Sequence, residues 1–294
     1  MTALLLSGCS GWEVDPSGSG SSFGSGSGHS SQDKIDSSLQ TYRSLHFIVS
    51  APSILKAEQV ALVSEKIYEK VMFDANLLSF KPKENYPIVI YQDALEYRNK
   101  TGNPAWSGGG TSTQILGQVL PSEREIRALT SIQTFDEVLT PSLLAHEISH
   151  LIFNEYMEFL MAEDAERLRW LNEGFATYQE MEAWDPLRRE ENVRLTRSFI
   201  QNSFMPLSEF TAFNPFQNAE IRVGNSTNIQ IWYWQSRELV AYLIQTHGSY
   251  NFYIFLETLK SRKSLEQAIL EAYPGQWRSL AELETAWKQA ISLK

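Results

Sequence analysis

The sequence predicts an α+β fold, with a small N-terminal α/β part followed by a helical C-terminal part. Three observations carry that prediction. Short apolar and β-branched runs of strand length fall before Pro141 and hardly recur after it. Beyond Pro141, apolar residues recur at helical spacing through segment after segment. The chain is also apolar enough to fold, 43% hydrophobic and 12% aromatic over 294 residues. That length suits one large domain or two modest ones.

In chain order, residues 1–40 are expected to lie outside the fold. Ala3-Leu4-Leu5-Leu6 leads into Ser7-Gly8-Cys9-Ser10, and Cys9 is the single cysteine. Leu6-Ser7-Gly8-Cys9 resembles the lipobox of bacterial lipoproteins. The resemblance implies cleavage before Cys9, lipidation of its thiol and attachment to a membrane, with residues 1–9 as a partial signal. The charged start of such signals is missing and the apolar stretch is short. Either Met1 is an internal methionine of a longer reading frame, or the match is accidental and the protein is cytoplasmic. Residues 10–40 follow as a linker, almost pure Ser and Gly from Pro16 to Gly28, a composition that behaves as flexible coil.

The folded body is expected over residues 41–294, with 41–135 as the α/β part and 136–294 as the helical part. Residues 45–49 read as a strand, 56–73 as a helix with apolar positions Val60, Val63, Ile67 and Val71, and 87–91 as a buried strand. Gly108-Gly109-Gly110 reads as a turn feeding a strand over 113–120. Helices are expected over 141–158, 162–184, 188–201, 232–246, 251–262, 264–272 and 279–292. No internal repeat is present.

Charge narrows the functional classes. The net charge is −10, from 35 acidic and 25 basic residues, and no Lys/Arg-dense segment exists to neutralise phosphates. Nucleic acid is therefore not an expected partner. No apolar run approaches the roughly 20 residues a membrane-spanning helix needs.

The chemistry concentrates at His146-Glu147-Ile148-Ser149-His150, an HExxH pattern set where a helix is expected, with Thr140 to cap it and Pro141 in its first turn. Residues four apart on a helix have Cβ atoms about 5–6 Å apart, so two imidazoles can converge on one ion. Glu147 projects about 100° round the axis and can act on a water there without being a ligand. The bland alternative is a pair of surface histidines.

The neighbours of the motif favour the chemical reading. Trp170-Leu171-Asn172-Glu173-Gly174-Phe175-Ala176 follows downstream. An HExxH helix with a WLNEGFA-type helix after it resembles the gluzincin metallopeptidases, which include the thermolysin-like proteases and large zinc aminopeptidases. That resemblance implies a thermolysin-like architecture with a zinc cleft between the two parts. It also implies one zinc ion held by His146, His150 and Glu173, Glu147 as general base, and a peptide or protein substrate. A His₂Glu set leaves a fourth position for water, as catalytic zinc requires. Twenty-two residues separate His150 from Glu173, more than in familiar gluzincins; the extra residues read as a longer helix pair or connection. Glu180, two turns beyond Glu173, can orient a ligand histidine or be a solvated glutamate.

Tyr233-Trp234-Gln235-Ser236 with Leu239 to Leu243 and Gly248 resembles the later helix of the bacterial peptidase MA-like proteins, as do the segments after Ser264 and Leu280. In that family a tyrosine at the start of the helix donates to the oxyanion, and the matching residue is Tyr233. The strand near Gly109 and Gly110 falls where gluzincins present an edge to substrate backbone; an ordinary hairpin turn is the alternative. His46 and His247 match no ligand spacing. The expected whole is a lipid-anchored zinc peptidase of the bacterial envelope, endopeptidase rather than aminopeptidase. Its rival is a zinc-containing binding or assembly module that cleaves nothing.

Overall fold

The computed structural model describes residues 39–102, 109–116, 127–158, 162–213 and 226–292, and over these the chain is α+β. Cys9 and nearly all of the expected linker lie outside the described residues, as does Gly108. The described residues divide into two compact units, one drawn from residues 39–65 and 84–139, the other from 66–83 and 140–292.

The first unit is built on a five-stranded sheet of β1 (Gln40–Arg43), β2 (Phe47–Ala51), β3 (Tyr86–Tyr91), β4 (Gly109–Leu116) and β5 (Arg127–Phe135). The spatial order is β1-β2-β3-β5-β4. β2, β3 and β5 run parallel in the middle, and the two edge strands pair antiparallel to their neighbours. Phe47, Val49, Ile88, Ile90 and Ile132 are fully buried, the alternation expected of strands with a packed face. Helix α1 (Ile54–Asp74) follows β2. Within this unit the Glu65 carboxylate accepts from the His46 backbone N–H at 2.8 Å and lies 2.7 Å from its Nδ1, joining α1 to the start of β2.

Helix α2 (Ala94–Thr101) is short and polar, so its ends define it. The Asp93 side chain accepts from the N–H groups of Leu95 and Glu96, and Gly102 closes it in a left-handed conformation at φ 73°. Its one fully buried side chain, Tyr97, packs on Tyr91 and Phe135.

The second unit is helical, with no strand among its described residues. Its elements are α3 (Pro141–Met157), α4 (Ala162–Arg167), α5 (Arg169–Glu182), α6 (Pro186–Asn202), α7 (Leu207–Phe210), α8 (Ser226–His247), α9 (Ser249–Lys260), α10 (Leu265–Ala272) and α11 (Leu280–Ser292). Helix α5 packs on both α3 and α8. Phe175 of α5, Trp232 of α8, Phe252 and Phe255 of α9 and Trp287 of α11 are all buried. The last turns of α1 belong to this unit, where Asp74 accepts from the Gln179 side-chain amide at 2.9 Å and from Lys70 at 2.6 Å. No helix among the described residues is long and apolar enough to cross a membrane.

Several expectations need correction. Gly109 and Gly110 do not form a turn: they open β4, paired with Thr134 and Gln133 of β5. The helix expected over 162–184 is broken at Leu168, whose φ/ψ of −105°/11° leaves the helical region. Helix α8 begins at Ser226 rather than 232. Strand β1, whose first residue Gln40 falls in the expected linker, strand β5, helix α2 and the single turn α7 are not among the expected elements.

Candidate metal centre

The helix carrying His146-Glu147-Ile148-Ser149-His150 is fixed at its start by local chemistry. Thr140 accepts the Leu143 N–H through its hydroxyl at 3.1 Å, and Pro141, which has no N–H to satisfy, sits in the first turn. From Leu143 to Phe153 every residue of α3 is buried. His146, Glu147 and His150 are therefore withdrawn from water on a helix enclosed on all sides. Burying ionisable groups is costly unless each finds a partner or a metal.

The partners are arranged around a point. The two imidazoles are nearly perpendicular, 79° between planes and 4.8 Å between centroids, with their Nε2 atoms 3.2 Å apart. Glu173 of α5 brings Oε2 to 3.6 Å from His150 Nε2 and 3.9 Å from His146 Nε2. Ligand atoms about 2.0–2.1 Å from a tetrahedral ion stand roughly 3.3–3.4 Å from one another. The three observed separations bracket and slightly exceed that spacing, so the donors fit a small tetrahedral cation with one position left open. His146, His150 and Glu173 form the group able to hold a metal ion among the described residues. Glu173 Oε2 is buried and accepts no hydrogen bond from the protein, the condition in which a carboxylate oxygen calls for a cation.

The far side of each ring is also held. His146 Nδ1 lies 3.1 Å from Glu180 Oε2, and His150 Nδ1 lies 2.8 Å from Asn172 Oδ1. Asn172 in turn donates its amide to Asn154 Oδ1 at 2.9 Å. With a proton on each Nδ1, the Nε2 lone pairs converge on the same point as Glu173 Oε2.

Charge tells the same story. Burial opposes a proton on His146, yet Glu180, Glu147 and Glu173 outweigh it and hold this imidazole protonated well above the usual histidine range. Burial, and then the positive charge on His146, keep His150 neutral far below that range. Burial raises Glu173, against the pull of His146 and Arg169. Of the three donors, His146 alone is drawn toward its charged form, by the glutamates around it.

The remaining candidates are placed as follows. Glu147 is fully buried beside the two histidines, and its charge acts on both. Tyr233 is buried on α8, its ring edge-on to Trp232 at 5.1 Å. Gly109 and Gly110 belong to the edge strand of the other unit. His46 faces Glu65, and His247 sits among the rings of Tyr242, Tyr273 and Trp277. Sequence reasoning missed the role of Asn172 and Asn154. Asn172 had a signal, since it adjoins Glu173 and so faces the same neighbourhood; Asn154, four residues after His150, continues the ligand face of α3.

The chain matches no protein-family model and no curated protein.

Proposed function

We propose that the protein is a zinc metallopeptidase of gluzincin type, with a thermolysin-like architecture and endopeptidase activity, working at the bacterial envelope from a lipid anchor at Cys9. The observation that carries the reading is the convergence of His146, His150 and Glu173 with Glu147 buried alongside. A structural zinc site closes all four positions with protein ligands, whereas two histidines and one carboxylate leave one open, as in catalytic sites.

When bound, zinc supplies Lewis acidity that polarises the scissile carbonyl and acidifies water. Glu147 takes the proton from the attacking water and delivers it to the leaving amine. Tyr233 donates its hydroxyl to the oxyanion as charge develops there. Glu180 and Asn172 hold the ligand imidazoles in the tautomer that turns Nε2 to the metal.

The test is metal content and peptide hydrolysis of the purified protein, compared with His150→Ala and Glu147→Gln. One zinc per chain, lost in His150→Ala, together with hydrolysis abolished in a zinc-loaded Glu147→Gln, supports the reading. Well-folded protein that takes up no zinc, or a fully active Glu147→Gln, refutes it.

A further inference from the structure

Thr177 lies on α5 one turn after Glu173 and just under one turn before Glu180. At about 100° per residue, the three side chains fall within about 60° of arc on one face of the helix. The His146 ring spans that face: its Nε2 is 3.9 Å from Glu173 Oε2 and its Nδ1 is 3.1 Å from Glu180 Oε2. Thr177 is the residue between the two carboxylates that flank the ring.

Its hydroxyl differs from four helical hydroxyls of this unit, those of Ser149, Thr211, Ser236 and Thr258. A helical serine or threonine commonly donates to the carbonyl four residues back. Ser149, Thr211, Ser236 and Thr258 all do so, at 2.6–2.8 Å. The Thr177 hydroxyl does not: its oxygen is buried and has no hydrogen-bond partner, although the residue is partly exposed. One turn away on the same face, Glu173 Oε2 is a buried acceptor that also lacks a hydrogen bond. A buried hydroxyl without an acceptor and a buried carboxylate oxygen without a donor thus lie one turn apart on the same helix, not bonded to each other. Leaving either so is costly.

We propose that Thr177 is a positioning residue for the metal ligand Glu173, donating its hydroxyl to that carboxylate and fixing how it presents its oxygen to the ion. The role rests on the metal-centre reading above. Threonine suits it, because two χ1 rotamers are open to it in a helix and one turns the hydroxyl along the face toward Glu173.

The experiment compares full-length wild type with Thr177→Val and Thr177→Ser. Zinc affinity is measured by competition with a chromophoric chelator, and melting is followed on the metal-free proteins. Thr177→Val is expected to bind zinc at least about ten-fold more weakly, and Thr177→Ser to return to wild-type affinity. Metal-free Thr177→Val is expected to melt no lower than wild type, since it loses only an unpaired hydroxyl. Wild-type affinity in Thr177→Val overturns the role, and so does equal weakening in Thr177→Ser, which would implicate packing instead. A wild type that binds no zinc overturns both this role and the metallopeptidase reading; a zinc-binding wild type with an indifferent Thr177→Val overturns this role alone.

Discussion

Gly174 faces the backbone of Ser236 so closely that a Cβ at 174 would stand 2.6 Å from the Ser236 carbonyl oxygen and 3.0 Å from Val240 Cγ2. Helices α5 and α8 meet there backbone to backbone, one residue from Glu173. Gly174→Ala should therefore separate the helices although alanine is the better helix former by about 1 kcal/mol. A net loss of about 1–3 kcal/mol is expected in urea unfolding, with weaker zinc binding as Glu173 is displaced. A stabilised variant would show that α5 and α8 can part without consequence.

Asn172 holds His150 by its ring N–H side and is itself held by Asn154. Asn172→Ala should keep the far-ultraviolet spectrum of the wild type and lose about 10–100-fold in zinc affinity, the usual effect of removing a group that orients a ligand. Chelator competition measures it. Unchanged affinity would mean that α3 alone sets the ring.

Stripping the metal should lower stability, because His146, His150 and Glu173 come from two helices that one ion would join. With free zinc about 1,000-fold above its dissociation constant, binding contributes about 4 kcal/mol. For a body of this size that corresponds to about 8–16 °C in Tm. Calorimetry with and without a chelator reads the difference, and coincident melts would contradict the assignment.

Glu65 gives the first unit an acid-sensitive joint. Burial raises its pKa, but hydrogen bonds from Ser44 and from the His46 backbone and ring outweigh this and leave it below the ordinary carboxylate value. A depressed folded-state pKa contributes stability that is present above the unfolded pKa and lost as pH falls through the folded one. Glu65→Gln should cost about 1–2 kcal/mol at pH 7. The gap to wild type should close as the solution is taken below the carboxylate range. A gap unchanged by acid would assign the effect to packing.

What the sequence disclosed was what helices encode locally. His146 and His150 face the same way because they are four apart, and Thr140 with Pro141 marks where that helix starts. The apolar spacing of α3, α6, α9 and α11 likewise lies within each segment. Strand β5 was hidden because Thr130, Ser131, Gln133 and Thr134 read as polar, and its identity comes from pairing with β3 on one side and β4 on the other. Helix α2 carried a signal that apolar spacing overlooks, Asp93 at one end and Gly102 at the other. The hold of Glu180 on His146 joins residues 34 apart, and only the packing of α5 on α3 decides whether such a carboxylate meets a ring or water.

The chain passes between its two units at 65/66, 83/84 and 139/140. No single scission can release either one whole. A fragment beginning at residue 140 would retain His146, His150 and Glu173 yet lack 66–83, and with it the Asp74 that receives Gln179 beside Glu180. The ligand-bearing half is thus not a cassette that recombination could lift out and fuse elsewhere.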